Sequence, residues 1–458
     1  MKKYQLRNTI IDLLLRIEKN KSFSHLLIDN EIKAQKMDSK DEGLLTEIVY
    51  GTVQRKLTLD YYLQNFIKPN QKIQSWVKIL LRMSLYQMIY LDRIPDHAII
   101  HEAVEMAKQR GHKGTASFVN GVLRNIQRKG IPRTDSIEND VKRLAVQTSH
   151  PEWLIERWLH HYGYKVTKEM CKANLNKKPL SIRIQPMKIS REEAMRTLQE
   201  LGFQVRPSLF SEQGIIVDQG NILKTDLFKK GYVTVQDQSS MLVSEMLKVQ
   251  PSMDVLDTCS APGGKVTHIA EKMQNSGSVY AYDLHKNKVK LINKKASDLH
   301  LTNINAQQAD ARNLRNIHAD ESFDRILVDA PCSGFGVIRG KPDIKYNKQE
   351  KDVHQLAAIQ ADILDHVAPL LKKDGLLIYS TCTVDVEENE NVVKNFLEKH
   401  KDFEVDASFI EDLPKDIKKS PGITKTGIQL FPHTFQTDGF FFVRLIRKGS
   451  YSTLNAKK

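Results

Sequence analysis

No stretch of this 458-residue chain approaches the roughly 18 consecutive apolar residues of a membrane-spanning helix, so no membrane association is expected. Cysteine is scarce. Cys171, Cys259, Cys332 and Cys382 are too few for a disulfide framework and lack the paired spacing of a metal site. His160, His161 and His268 have no partners at ligand spacing and read as structural. No metal is therefore expected, and the free thiols point to a reducing cytoplasm. The start, MKKYQLRNTIIDLLLRIEKN, is basic and then apolar, but Arg16, Glu18 and Lys19 interrupt it and no small-residue cleavage site follows; an amphipathic helix is expected rather than a leader. Repeats and low-complexity tracts are absent, as are the P-loop and the dinucleotide fingerprint. The tail YSTLNAKK reads as disordered.

What the chain has in excess is positive charge, and it is unevenly spread. The net +14 divides into +9 over residues 1–150, +4 over 151–250 and +1 over 251–458. A basic first half on a nearly neutral second half is the division expected of an RNA-docking appendage on a catalytic domain, although many lysine-rich faces only solvate. Length alone suggests two or three domains.

Residues 1–140 read as an all-α bundle, with Ile10, Leu13, Leu14 and Ile17 at helical spacing and Trp76–Leu91 as its central buried helix. Ala98–Arg110 and Phe118–Gln127 continue the pattern, with Gly111 and Gly114 as a break between them. A connector is expected over 130–150. Residues 141–235 read as a small α+β module, with helices at 153–160 and 191–201 and strands at 181–185, 214–218 and 232–237. From 236 to 450 the rhythm becomes strand, loop, helix. Strands are expected at 254–259, 278–283, 304–310, 325–331, 375–382 and 439–447, and helices at 264–274, 285–299, 354–371 and 388–399. That alternation predicts a doubly wound, mainly parallel sheet of Rossmann-like type. Ligands in such sheets sit outside the carboxyl ends of the strands, where each motif below falls.

The first motif, DTCSAPGGK, runs from Asp257 to Lys265. Its glycines, Gly263 and Gly264, let the backbone approach a ligand closely. Asp283 ends the second strand, where an acid can accept both hydroxyls of a ribose; a helix cap is the plainer use. Asp310 ends the third strand and suits an adenine amino group, or again a cap. Polar strand ends without a phosphate loop favour S-adenosylmethionine over NAD or ATP. Asp329-Ala330-Pro331-Cys332 ends the fourth strand and Ser380-Thr381-Cys382 the fifth, so both thiols face one pocket. Two cysteines beside a cofactor loop suit covalent chemistry on an electron-poor ring such as cytosine. A thiolate adding to C6 makes C5 nucleophilic towards an electrophilic methyl group, after which a base removes the C5 proton and the thiol leaves. Asp329 is the candidate acid at cytosine N3. The residues alone do not say which cysteine attacks.

Arg339, Lys341, Lys345 and Tyr346 form a basic loop expected to hold an RNA backbone or stack a base, with a plain surface loop as the alternative. Asp385, Glu387, Glu388 and Glu390 read as acids favouring a helix N-terminus rather than as metal ligands.

Taken together, DTCSAPGGK, DAPCSGFGV, RGKPDIKY, STCTVDVEENE and FPHTFQTDGFF resemble the RNA cytosine-5 methyltransferase family. IVYGTVQRK and PDHAIIHEAVEMAKQ resemble the NusB-like RNA-binding fold, which narrows the likeness to the bacterial 16S rRNA cytosine-5 methyltransferase B type. The resemblance implies that Cys259, Ser260, Ala261, Pro262, Gly263, Gly264 and Lys265 hold the methionine end of S-adenosylmethionine. Asp283 and Asp310 would hold its ribose and adenine, and Asp329 would line the pocket floor. It also implies that Cys382 is the nucleophile, that Cys332 assists product release, and that the target is cytosine 967 in a small-subunit rRNA hairpin. Ser260, Val266 and Phe335 depart from the residues usual in the family. A monomer is the default expectation. The rival readings are an exocyclic-amino methyltransferase on the same fold and a non-catalytic RNA-binding assembly factor.

Overall fold

The computed structural model describes residues 5–20 and 24–449; the tail expected to be disordered lies outside them. The chain divides into two compact units, one of residues 1–176 with 338–349, the other of 177–337 with 350–458.

The first unit is helical. Its helices include Gln5–Asn20, Ser39–Gln54, Ser75–Tyr90, Asp96–Arg110 and Lys113–Lys129, packed on one shared core. Ser75–Tyr90 is buried at every position from Ile79 to Gln87, as a helix surrounded by others must be. Arg82 lies in that buried run and is neutralised by Asp60 and Glu18, each at 2.6 Å. Three expectations need correcting. Gly114 does not break the chain but sits in the first turn of Lys113–Lys129, its amide donating to His112 Nδ1. The expected connector contains a helix, Asp140–Thr148, started by the Asn139 side chain accepting from Lys142 N at 2.9 Å. The helix expected at 153–160 runs on to Ala173 across a kink at Gly163, where φ is +70°.

In the second unit, strands β1 (Leu180–Ile184), β2 (Gln204–Pro207), β3 (Gly214–Gln219) and β4 (Val233–Val235) form an antiparallel sheet in the order β2-β3-β1-β4. Strand β2 was not legible in the sequence. It is short, mostly exposed and ends in a proline, as an edge strand can.

The larger sheet contains, among the described residues, β5 (Asp254–Asp257), β6 (Ser278–Asp283), β7 (Ile304–Gln308), β8 (Phe323–Asp329), β9 (Leu371–Thr381), β10 (Phe403–Val405), β11 (Ile423–Thr424), β12 (Gly427–Leu430) and β13 (Phe440–Arg447). Its order is β11-β12-β13-β9-β8-β5-β6-β7, with β10 on β13. The expected parallel core is present in the pairings among β5 to β9. The sheet as a whole is mixed, because β13 and the strands beyond it run antiparallel. The chain goes from β5 to β6 on one side and returns to β8 on the other. That switch point opens a crevice at the carboxyl ends of β5 and β8.

Candidate active site

Asp257 ends β5 and Asp329 ends the neighbouring β8, so two carboxylates approach on the crevice floor. Asp329 is tied on both sides: Lys265 Nζ donates to Oδ2 and Ser380 Oγ to Oδ1, each at 2.8 Å. The Lys265 ammonium also lies 4.8 Å from the centre of the Phe440 ring, which joins the glycine loop, β8 and β13 at one point. Asp257 is fully buried, and neither of its side-chain oxygens has a partner. Burial first, and then the charge of Asp329, push its carboxyl up to about 7. A buried carboxylate without a donor is costly unless a cation or donor arrives.

Beside it the chain turns into helix Gly264–Lys272 through Gly263, at φ +96°, where any side chain would be strained. Ser260 fits this turn through both its hydroxyl and its amide. Its hydroxyl donates to Asp257 O at 3.0 Å and its amide to Tyr282 O at 2.8 Å. Ala261 and Pro262 complete the turn, and Pro262 is exposed. Cys259 is pushed up to about 12, chiefly by burial, so its thiol stays neutral. Asp283, at the end of β6, accepts the His285 amide on one oxygen and has Lys288 3.8 Å from the other. Asp310 lies past the end of β7 as a cap; Arg312 donates to both its oxygens through its side chain and to one through its amide.

The two motif cysteines meet. Cys332 follows β8, Cys382 follows β9, and their Sγ atoms stand 3.3 Å apart. The contact with Cys382 first, then burial, hold the Cys332 thiol well above its ordinary range. The contact is built from the backbone. Gly336 N donates to Cys382 O at 3.0 Å and Gly439 N to Gly336 O at 2.9 Å. Phe335, the larger residue in this turn, is fully buried.

Behind the thiols lie residues that sequence reasoning missed. Glu388 Oε2 accepts the Ser333 amide at 2.8 Å and Gln360 Nε2 at 3.0 Å, while Gln360 also donates to Pro331 O at 2.9 Å. Ser333 and Thr383 join hydroxyl to hydroxyl at 2.7 Å. Glu388, expected as a helix-terminal charge, is instead buried, and burial pushes its carboxyl up to about 7. Its letter stood in a motif, but no spacing rule marked it as a support for the Cys332 turn.

The basic loop is a second correction. Lys345 is fully buried and donates to Gln54 O at 2.9 Å; Tyr346 meets Ser149 Oγ at 2.9 Å; Arg339 donates to Ala173 O at 2.9 Å. These side chains are fastened into the helical unit, which leaves Lys345 unable to reach a nucleic acid.

A family profile for the 16S rRNA methyltransferase RsmB/F matches residues 244–446. The NusB family matches 4–128, and the RsmF/B-like ferredoxin-like domain matches 150–223. The chain is 49% identical over 98% of its length to all of the "Probable ribosomal RNA small subunit methyltransferase B" of Bacillus subtilis. It is 34% identical to the "Ribosomal RNA small subunit methyltransferase B" of Photorhabdus laumondii, covering 90% of this chain and 92% of that one. The chain belongs to the RsmB family of 16S rRNA methyltransferases. Among solved structures, this RsmB-family fold is similar to the crystal structure of PH0851, with TM-score 0.80 and 25% identity over 98% of this chain and 99% of that one. A methyltransferase homolog protein from Pyrococcus horikoshii is similar at TM-score 0.58 and 26% identity, covering 68% of this chain and all of that one. The helical unit, the ferredoxin-like module and the mixed methyltransferase sheet are the three parts of an RsmB-family enzyme.

Proposed function

We propose that this enzyme methylates C5 of a cytosine in 16S rRNA, with S-adenosylmethionine as methyl donor and Cys382 as nucleophile. The observation that carries this reading is the 3.3 Å approach of Cys332 to Cys382 at adjacent strand ends. The crevice residues suit the donor. Asp257 offers an unpartnered buried carboxylate, and Asp283 has one oxygen whose nearest cation is Lys288 at 3.8 Å. Cys259 to Lys265 would hold the methionine end, with Asp283 at the ribose and Asp310 at the adenine. Bound there, S-adenosylmethionine supplies an electrophilic methyl group.

The chain's own residues do the rest. The target base leaves its stack to reach the thiols. Cys382 gives up its proton and its sulfur bonds C6, which sends electron density to C5 and N3. Asp329, beside the Lys265 ammonium, takes up the proton that Cys382 gives and donates it to N3. C5 takes the methyl group, its proton passes to a base, and the C6–sulfur bond breaks as the ring double bond re-forms. Cys382 then departs as a thiolate. The Cys332 thiol, kept protonated by that very contact, donates a hydrogen bond to the departing sulfur.

Family likeness points to cytosine 967 in its hairpin as the target; the free thiols suit a reducing cytoplasm, and a monomer is the default working form. The three sequence-based domains, 1–140, 141–235 and 236–450, are proposed as the RNA-docking, linking and catalytic parts.

The test is incubation of 16S rRNA with the protein and methyl-labelled S-adenosylmethionine, followed by nucleoside analysis. Label in 5-methylcytosine from wild type and none from Cys382→Ala is expected. Label on an exocyclic nitrogen would overturn the reading in favour of an amino methyltransferase.

A further inference from the structure

Within the second unit, a cleft of about 960 Å³ runs between the ferredoxin-like sheet and helix Lys286–Asp298 and reaches Pro262 of the glycine loop. We infer that this cleft holds a single-stranded stretch of the substrate RNA next to the target base. The inference rests on the proposed RNA-methylating function and names the surface that serves it.

Charge is the first argument. Lys229, Lys294 and Lys295 line the cleft. A second depression of about 600 Å³ shares His300 with it and adds Lys188 and Lys230. Asp298 is the acid lining the cleft, and its carboxylate is already taken by Lys294 at 3.0 Å. Helix Lys286–Asp298 carries five lysines, of which Lys286, Lys290 and Lys294 recur every fourth residue. At 1.5 Å per residue they form an exposed row about 12 Å long. A net charge of +1 over residues 251–458 hides this row, because acids elsewhere cancel it in the sum.

The second argument is what lies between the charges. Phe228 lines the cleft, Tyr232 the adjoining depression, and Leu223 and Leu291 are 53% and 50% exposed. Cations interleaved with aromatic and apolar side chains suit a strand whose phosphates pair with lysine while its unstacked bases find a flat apolar partner. A duplex offers its phosphates but hides those base faces.

The third argument is Lys295. It lines the cleft half-buried, and burial first, then the nearby Arg183 charge, lower its ammonium to about 8. Arg183 itself is spent on Glu271, with contacts of 2.7 and 2.8 Å. A disfavoured cation facing an open cleft is the counterpart of an incoming phosphate.

The test uses the full-length protein and a fluorescein-labelled single-stranded fragment of 16S rRNA containing the target cytosine. The variant is Lys229→Glu with Lys294→Glu; the control is Lys373→Glu, an exposed lysine on β9 away from the cleft. The double reversal should weaken binding about tenfold or more and reduce the slope of log affinity against log salt by about 1.4, two contacts' worth for a single strand. S-adenosylmethionine binding by calorimetry should stay unchanged, and the control should bind RNA as wild type. An unchanged affinity and slope, or an equal loss in the control, would overturn the inference. The binding assay reads the cleft whether or not methyl transfer is detected. A wild type that makes no 5-methylcytosine but loses RNA through the cleft variant therefore defeats the proposed reaction and not the cleft.

Discussion

Gly336 shows how much of the site depends on one missing side chain. A Cβ there would lie 1.8 Å from Gly439 O and 2.8 Å from Cys382 O, both backbone atoms that cannot swing aside. Gly336→Ala must part the Cys332 turn from the ends of β9 and β13 and break two backbone hydrogen bonds. A loss of more than about 3 kcal/mol is expected from overpacking and the broken bonds together. Urea denaturation and loss of methyl transfer would read it, and a variant with wild-type stability and activity would contradict the proposed packing. The glycine was visible in DAPCSGFGV, but nothing in one sequence says that a carbonyl from 103 residues downstream lies against it. The cysteines were legible for a different reason. A strand's carboxyl end is predictable from its apolar run, and two such ends in adjacent parallel strands bring whatever follows them together.

At the scale of elements, strand ends and supporting groups carry the pH response. The Glu388 carboxyl, held near 7 by burial, keeps its proton in the folded protein where the unfolded chain, at about 4.3, has lost it. Between pH 4.5 and 7 the folded state thus binds more protons, and stability falls as pH rises. Asp257 acts with the same sign. Glu388→Gln keeps the oxygen that accepts from Ser333 and should remove up to about 1.4 kcal/mol per pH unit from that decline. Urea midpoints at pH 5, 6 and 7 check it; a slope unchanged in the variant would show that Glu388 titrates normally. Asp237 has the opposite sign. It starts helix Gln238–Met246 by accepting the Ser239 amide at 3.0 Å and pairs with Lys178, and its carboxyl lies at about 2. Its contribution is present above about pH 4 and fades as pH falls through its folded value. Asp237→Ala should cost about 2 kcal/mol or more at pH 7, because it removes a cap and leaves Lys178 to Asp438 alone. Thermal melts at pH 7 and pH 3 should show the wild-type advantage shrinking at the lower value. Neither acid was singled out as a support by the sequence, because the partners that fix them, Ser333 for Glu388 and Lys178 for Asp237, lie far along the chain.

For the whole molecule, the chain's division did not follow its letters. Residues 338–349 follow the Cys332 motif closely, yet they belong with the helical unit. Lys345 lies fully buried there, and burial lowers its ammonium to about 7. A lysine in RGKPDIKY looks like a surface cation in one dimension, and only the three-dimensional partners, Gln54 and the helices around it, reveal otherwise. The unfolded chain keeps this proton to about pH 10.4 while the folded one sheds it near 7, so stability rises with pH across that window. Lys345→Met should flatten this rise and lift the helical unit's midpoint at pH 7, with Gln54 O still accepting from Tyr346 at 3.3 Å. Melts from pH 7 to 9 would show it. Helical periodicity and the strand-helix alternation were legible because each is local; the antiparallel flank around β13 and the capture of 338–349 are not.

The most direct test of the paired-thiol chemistry is the Cys332→Ala enzyme incubated with 16S rRNA and S-adenosylmethionine, resolved on a denaturing gel and mapped by peptide mass. A persistent protein–RNA adduct on the Cys382 peptide, absent from Cys382→Ala, is predicted, because the departing thiolate loses the hydrogen-bond donor 3.3 Å away. An adduct retained in Cys382→Ala, or methylated RNA from that variant, would contradict the assignment of the nucleophile.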